Sequence, residues 1–166
     1  MADSQIAPDD PRAVDVRALL AHHLAFAHAN TAPEEVYALD VEALLDPAIS
    51  FFGLRQRGVL LAVGALKRLD AEHAELKSMH TAAEMRGRGI GSAMVEHLLV
   101  VARSRGFRRV SLETGSTPPF APARALYERA GFKPCGPFAD YPENSDSAFM
   151  TLQIDDGNIP VALALR

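Results

Sequence analysis

The strongest chemical pattern in the chain is a glycine-rich segment, Arg86-Gly87-Arg88-Gly89-Ile90-Gly91, directly before a clear helical pattern. Glycines at alternate positions let a backbone approach a ligand closely, and the first N–H groups of a helix have no partner inside it. Together with the helix dipole and the two arginines, they favour an anion such as a pyrophosphate. The alternative is a plain strand-to-helix turn whose glycines serve only the backbone angles.

Two common phosphate-binding motifs do not fit this segment. A P-loop requires a Gly-Lys pair followed by serine or threonine, and no lysine precedes Ser92. A dinucleotide fingerprint requires a third glycine where this chain has Ser92, and it belongs to the first βαβ unit of a domain. The segment lies mid-chain, which also disfavours the dinucleotide fingerprint. Neither motif therefore fits the segment.

The elements around the segment follow from apolar periodicity and turn residues. Ile90, Met94, Leu98 and Val101 share one face of a helix predicted at residues 90–104. Other helices are predicted at about 11–29, 31–46 and 122–130, and strands at 49–55, 59–69, 74–81, 110–114, 132–138 and 147–154. With a further strand before the first helix, the order β-α-α-β-β-β-α-β-α-β-β indicates a mixed α/β domain.

Length and composition restrict the class of protein. The chain has 166 residues, 48% of them hydrophobic and 23% charged, which is typical of one globular domain rather than a disordered chain. We predict a domain at residues 1–155 and an apolar tail at 156–166 that packs on the domain or on a partner. The longest apolar run, residues 59–66, is far shorter than the roughly 20 residues of a membrane span.

Charge and cysteine usage exclude further classes. A net charge of −4 argues against a general nucleic-acid binder, although residues 74–110 carry seven basic and three acidic side chains. The lone Cys135 allows no internal disulfide and fits a reducing cytoplasm, and the acidic N-terminus lacks the apolar core of a secretory signal. The six histidines form no ligand set with cysteine, so we expect no metal and regard them as solvated helix residues, except His80.

Two motifs carry a family resemblance. Arg86-x-x-Gly89-x-Gly91, placed after Met79-His80-Thr81 and before a helix, resembles the acyl-CoA-binding motif of the GNAT superfamily of N-acetyltransferases. Leu126-Tyr127-Glu128-x-x-Gly131-Phe132 is similar to the late helix and strand of that superfamily. Residues 75–79, 111–115 and 135–138 and Tyr141 resemble a group of small bacterial members of uncertain substrate. The resemblance implies one domain with a mixed, mostly antiparallel central sheet and helices on both faces.

The resemblance also implies where acetyl-CoA binds. Backbone N–H groups of the turn would hold the pyrophosphate, which maps onto Arg86, Gly87, Arg88, Gly89, Ile90 and Gly91, with Ser92 next. Backbone groups of Met79 and Thr81 would pair with the pantetheine arm, and an N–H near Met79 would polarise the thioester carbonyl. Many members have a coenzyme-contacting asparagine where this chain has Phe120, so the 115–122 loop is expected to shape the acceptor pocket instead.

Proton transfer is assigned to a tyrosine and a carboxylate. Tyr127 maps onto the family tyrosine that protonates the departing thiolate, a transfer between groups with pKa values of about 10 and 8.5. The alternative is a packed tyrosine. Glu75 is the candidate base, because it lies four residues before Met79 and would share its face of a regular strand. Glu113 is an alternative base or a substrate anchor.

The acceptor is less well defined. Lys77 shares the face of Glu75 and could pair with it or bind a substrate carboxylate, and Tyr141 is a further substrate candidate. We expect direct acetyl transfer to a small-molecule or amino-acid-like amine, selected by residues 11–46, 115–122 and 138–146. A protein N-terminus or lysine is the enzymatic alternative, and a non-catalytic acyl-CoA sensor is the alternative from another class. Exposed strand edges are compatible with a homodimer.

Overall fold

Residues 3–154 are described by the computed structural model, and they form a seven-stranded sheet with helices on both faces. The strands are β1 Ser4–Pro8, β2 Ile49–Gln56, β3 Val59–Arg68, β4 His73–Thr81, β5 Arg109–Gly115, β6 Lys133–Cys135 and β7 Ser147–Gln153. The α-helices are α1 Val14–Asn30, α2 Ile90–Ser104 and α3 Ala121–Arg129.

The sheet order is β1-β2-β3-β4-β5-β7-β6, and only the β4–β5 pair is parallel. The register of that pair runs from His73 opposite Arg109 to Leu76 opposite Leu112 and then stops. Both strands continue beyond this point without pairing to each other, so a gap opens between residues 77–81 and 113–115. This gap sits at the centre of the sheet.

One face of the sheet is covered by α2 and α3. Ile90, Met94 and Leu98 are buried among side chains of β2, β3 and β4. The helix approaches closely because β3 has a glycine at its centre: a Cβ at Gly64 would lie 2.8 Å from Met94 Cγ. Apolar spacing in the sequence therefore predicts both the helix and the face that it buries, and α2 has the predicted bounds.

The other face is covered by α1. Val16 and Leu20 pack against Val63 and Ala65 of β3 in a second, smaller core. The sheet is thus enclosed by helices on both faces, and the predicted fold class is confirmed. The β2–β3 turn also forms as expected from Arg57-Gly58, whose φ angles of 51° and 82° suit a two-residue hairpin.

The helix predicted at 31–46 is wrong. That segment contains only two short 3₁₀ helices, Pro33–Glu35 and Ala43–Leu45, joined by extended backbone. Its apolar residues 36–39 are consecutive rather than spaced at helical intervals, so no helical packing stripe is available. The last predicted strand pair is also shorter than expected, because β6 ends before Gly136-Pro137.

Two predictions concern what is absent or lies at the end of the chain. Between residues 3 and 154, no helix has the combined length and apolarity needed to cross a bilayer. The predicted tail at 156–166 and its boundary with the domain lie outside the described residues.

Candidate active site

A cleft of about 480 Å³ opens where β4 and β5 diverge. Its walls come from α1, the extended segment after it, both diverging strands, the glycine-rich turn and α3. Twelve predicted site residues line it: Glu75, Lys77, Met79, Thr81, Arg86, Gly87, Gly89, Ile90, Gly91, Ser92, Glu113 and Tyr127. The exposed Arg88 and the more distant Tyr141 do not line the cleft.

The glycine-rich turn forms one end of the cleft. Gly87 and Gly89 have φ angles of 76° and 79°, in the left-handed region that favours glycine, while open space surrounds the position of a Cβ at each. Gly89 precedes α2, and no side chain caps this helix end. The first N–H groups of α2 are therefore available to an anionic ligand.

Gly91 has a different role. A Cβ at this position would lie 3.1 Å from Leu126 Cδ2 of α3 and 3.8 Å from Thr81 Oγ1. The glycine therefore allows α2 to approach α3 and the end of β4 closely. This packing fixes the turn against the strand that forms the next part of the cleft.

A β-bulge interrupts β4 beside the gap. Ser78 has a φ angle of 55°, and the register with β3 shifts between Val63 and Ala65. After the bulge, Met79 packs towards Gly64 and the α2 side of the sheet, whereas Glu75 lies on the opposite face from Leu76, which packs beneath α2. The prediction that Glu75 and Met79 share one face is wrong, because the inserted residue ends the alternation of a regular strand.

Glu75 is the centre of a buried polar group. It is only 2% exposed, and its Oε2 accepts hydrogen bonds from Lys77 Nζ at 3.0 Å and from the Tyr141 hydroxyl at 2.5 Å. Lys77 Nζ also donates to the Tyr141 oxygen at 2.6 Å. Burial, and then the adjacent Glu75 charge, raise the pKa of Tyr141 well above its usual range. The three side chains form a closed, nearly neutral unit.

Glu113 is less constrained. It follows the last β5 residue that pairs with β4, and its Oε1 accepts a hydrogen bond from Ser147 Oγ at 2.9 Å. Burial raises the pKa of Glu113 to about 7, although the Ser147 hydrogen bond and the Lys77 charge oppose the increase. This carboxyl group therefore changes its charge near neutral pH.

Tyr127 lies on α3 and faces the cleft. The side chain is 6% exposed and packs on Phe132, with ring centroids 5.9 Å apart. Its hydroxyl makes no hydrogen bond to any residue between 3 and 154. Burial, with a smaller effect from Glu113, raises the pKa of Tyr127 far above neutral pH, so the phenol stays protonated.

Two histidines face the cleft, and only one of them was singled out from the sequence. His23 Nδ1 and His80 Nδ1 lie 3.3 Å apart, and burial lowers the pKa of each to about 4. His23 is thus not a solvated helix residue. Its spacing from Val16, Leu20 and Ala27 follows the buried stripe of α1, and this pattern could have revealed it.

Phe120 stands where the resemblance leads one to expect an asparagine. Its ring packs edge-on against Phe26 of α1, with centroids 5.1 Å apart, and it covers Gly115 so closely that a Cβ there would lie 2.0 Å from the ring. Arg124 Nη1 holds the loop by donating to the carbonyls of Gly115 and Thr117. The loop therefore forms an apolar wall of the cleft.

This arrangement, a glycine turn at an uncapped helix end beside two diverging parallel strands, agrees with the comparison to known proteins. The family model described as "Acetyltransferase (GNAT) family" matches residues 17–132. The chain belongs to the GNAT acetyltransferase family. It is an N-acetyltransferase that uses acetyl-CoA as its co-substrate.

Curated relatives and solved structures agree with this membership. The chain is 40% identical over 153 residues to the uncharacterized N-acetyltransferase YedL of Escherichia coli K12, which covers 92% of this chain and 96% of that protein. It is 45% identical over 108 residues to the uncharacterized N-acetyltransferase YsnE of Bacillus subtilis 168, covering 65% and 72% of the two chains. A GNAT family acetyltransferase from Elizabethkingia anophelis with acetyl-CoA bound has the same fold, with a TM-score of 0.68, 16% identity, and coverage of 92% and 99%.

Across residues 3–154, no group of three or more His, Cys, Asp or Glu side chains is arranged to hold a metal ion. The polar groups that face the gap are instead acids, bases and backbone donors. These are groups that an acyl transfer to an amine can use directly.

Proposed function

We propose that this enzyme acetylates a small primary amine. The amine and acetyl-CoA would bind together in one ternary complex, and the amine would attack the thioester carbonyl directly. A single observation carries the proposal: one cleft joins the glycine-rich turn to the carboxylates Glu75 and Glu113, with the β4–β5 gap between them. The volume of about 480 Å³ lies within the range usual for small ligands. Walls from α1 and residues 31–39 favour a small amine over an extended peptide.

At one end, the turn would bind the coenzyme. The pyrophosphate would accept hydrogen bonds from the backbone of residues 86–91 and from Ser92, and Arg86 and Arg88 would add positive charge. The left-handed glycines and the uncapped start of α2 support this placement. The pantetheine arm would lie along Met79 and Thr81, where β4 no longer pairs with β5.

In the gap, Tyr127 would act as the general acid. Its phenol is protonated at neutral pH, and its hydroxyl has no competing hydrogen bond to residues 3–154, so it is free to meet the departing sulfur. A backbone N–H beside the Ser78 bulge, near Met79, would stabilise the oxyanion, a contact worth about 3 kcal/mol. Lys77, Glu113 and Tyr141 lie at the acceptor end as substrate candidates.

The test starts from binding and proceeds to the acceptor. Acetyl-CoA is titrated by calorimetry with NADH and ATP as controls, and thiol release is then followed with small primary amines, N-terminal peptides and lysine peptides. We expect micromolar binding of acetyl-CoA alone and turnover with small amines. Turnover confined to peptides would overturn the proposed acceptor class. Binding without transfer to any of these amines would favour the acyl-CoA sensor.

Three further expectations accompany the proposal. A cytoplasmic location is supported by the lone Cys135, whose pKa is raised by burial, as suits an unreactive thiol in a reducing compartment. A homodimer remains a prediction, which sedimentation at micromolar concentration would test. Packing of residues 156–166 on the domain or on a partner is tested by truncation after residue 155.

A further inference from the structure

We propose that Glu113, and not Glu75, takes the proton from the acceptor amine, and that Glu75 is a positioning residue held in place by Lys77 and Tyr141. This inference rests on the proposed function and deepens it. It follows from how the two carboxylates are bonded, since both belong to the same cleft and both lie beside the β4–β5 gap.

Glu75 is held by a cation and a phenol at one of its carboxylate oxygens. A single oxygen, Oε2, accepts from both Lys77 Nζ and the Tyr141 hydroxyl, and the Lys77 side chain is itself only 9% exposed. Protonating Glu75 would leave a buried ammonium without its counter-charge, which is strongly unfavourable. The Tyr141 ring is fixed in turn by edge contacts with Phe138 and Tyr37. This group of three side chains is suited to fixing their positions rather than to exchanging protons.

Glu113 has the opposite character. Oε1 accepts from Ser147, whereas no residue between 3 and 154 donates a hydrogen bond to Oε2. The nearby ammonium of Lys77 is bonded to Glu75, so the half-buried Glu113 has no ion pair with any residue between 3 and 154. A carboxyl group in this position accepts a proton near neutral pH, in agreement with its pKa of about 7.

Glu113 and Tyr127 line the same cleft, with room for an acceptor amine between them. The ionisable and polar groups that act on it are Glu75 and Lys77 of β4, Tyr127 of α3, Tyr141 of the β6–β7 loop and Ser147 of β7. The Glu113 charge contributes to the raised pKa of Tyr127. An acceptor amine lying between them would have its proton acceptor on one side and the leaving thiolate's proton donor on the other.

The proton steps balance. The acceptor ammonium gives one proton to the Glu113 carboxylate, and the neutral amine attacks the thioester carbonyl so that a C–N bond forms. The intermediate then collapses, the C–S bond breaks, and its electron pair goes to sulfur, which takes the phenolic proton of Tyr127. The second proton lost by the nitrogen restores the phenol, and Glu113 returns its proton to water when the products leave.

The experiment compares three isosteric or near-isosteric variants by the pH profile of kcat/KM. Glu113→Gln should lower activity about 100-fold and remove the inflection near pH 7. Glu75→Gln should keep that inflection but move it to lower pH, because it removes a neighbouring negative charge and frees Lys77 to stabilise ionised Glu113. Ser147→Ala should move it to higher pH, because a hydrogen bond to the carboxylate is lost.

Calorimetry and NMR separate the failure of this inference from the failure of the proposed function. All three variants should bind acetyl-CoA like the unchanged enzyme. An inflection that disappears in Glu75→Gln and persists in Glu113→Gln would reverse the assignment. A ¹³C NMR titration of labelled glutamate side chains requires no acceptor: a Glu113 signal that titrates near the ordinary pKa of about 4.3 would overturn the proposal. An unchanged enzyme that does not bind acetyl-CoA would overturn the proposed function instead.

Discussion

The two ends of the cleft are built in different ways. The coenzyme end is one continuous segment, residues 86–92, in which left-handed glycines and the start of α2 present backbone donors. The acceptor end is lined by side chains of α1, residues 31–39, β4 and β5, and Lys77 there is bonded to Tyr141 of the β6–β7 loop. In the proposed function, backbone chemistry that is local in sequence would therefore bind acetyl-CoA, whereas long-range side-chain contacts would shape the site of the acceptor amine.

The comparison has an energetic side. Glycines at the turn give up side-chain contacts so that the backbone can bind an anion, and no buried charge is needed there. At the acceptor end, Glu75 is buried and Lys77, Glu113 and the His23–His80 pair are half-buried, and each must be compensated by a neighbour. Changes at the first end should therefore affect coenzyme binding alone, and changes at the second should affect turnover, pH dependence and the acceptor.

The largest effect is expected from Gly89→Glu. The new side chain adds negative charge at the proposed pyrophosphate position and forces a left-handed backbone on a non-glycine residue, so we expect acetyl-CoA affinity to fall at least about 100-fold. Gly58→Glu is the matched control, because Gly58 has a φ angle of 82°, equally open surroundings and a position in the β2–β3 turn. Calorimetry on both variants measures the difference. Retained affinity in Gly89→Glu would refute the placement of the pyrophosphate.

The next effect is expected from Tyr127→Phe. Removing the phenol deprives the departing thiolate of its proton donor, so kcat should fall at least about tenfold while the Kd for acetyl-CoA stays nearly constant. Tyr37→Phe is the control, because it removes a hydroxyl from the acceptor end of the same cleft. Steady-state kinetics and calorimetry give the two quantities. Turnover that is unchanged in Tyr127→Phe would remove this residue from the mechanism.

The sequence predicted what depends on local pattern. Helix α2 has the predicted bounds because Ile90, Met94 and Leu98 are spaced for one buried face, and the turn before it needs glycine for its φ angles. The Lys77–Glu75 ion pair was also among the stated possibilities and is formed. These features are determined within a few residues of chain, which is why a single sequence is sufficient.

The sequence did not predict what depends on distant contacts. The bulge at Ser78 places Glu75 and Met79 on opposite faces of the sheet. The residues of β4 do not predict this bulge, because Ser78 adopts a φ angle that serine rarely takes. The segment at 31–39 is held by contacts with the sheet and with the β6–β7 loop rather than by its own periodicity. The bonding that separates Glu75 from Glu113 comes from Tyr141 and Ser147, residues at least 34 positions away.

A smaller effect is expected from Asp146→Ala, which tests the acceptor end alone. Asp146 Oδ2 accepts a hydrogen bond from Ala32 N at 3.1 Å and so joins the β6–β7 loop to the segment after α1. Loss of this bond, worth about 1 kcal/mol, should raise KM for the amine about fivefold and leave acetyl-CoA affinity unchanged. Asp46→Ala removes a comparable bond, to Ala48 N, outside the cleft, and serves as the control. Equal KM values for the amine in the two variants would show that the position of the β6–β7 loop does not affect acceptor binding.

The last prediction concerns the His23–His80 pair, where the expected effect is on stability rather than on binding or turnover. Because burial lowers the pKa of both groups from 6.5 to about 4, the unfolded chain binds more protons than the folded one between these pH values. The free energy of unfolding should therefore fall as the pH drops from about 6.5 to 4, by at most about 1.4 kcal/mol per pH unit for each histidine. Urea denaturation at several pH values measures how the free energy of unfolding depends on pH. This dependence should be shallower in His23→Leu than in the unchanged enzyme. His28→Leu, at an exposed position on the same helix, is the control. An equal pH dependence of the free energy of unfolding in all three proteins would mean that burial does not hold the pair neutral. The acceptor end of the cleft would then tolerate a charge in its wall.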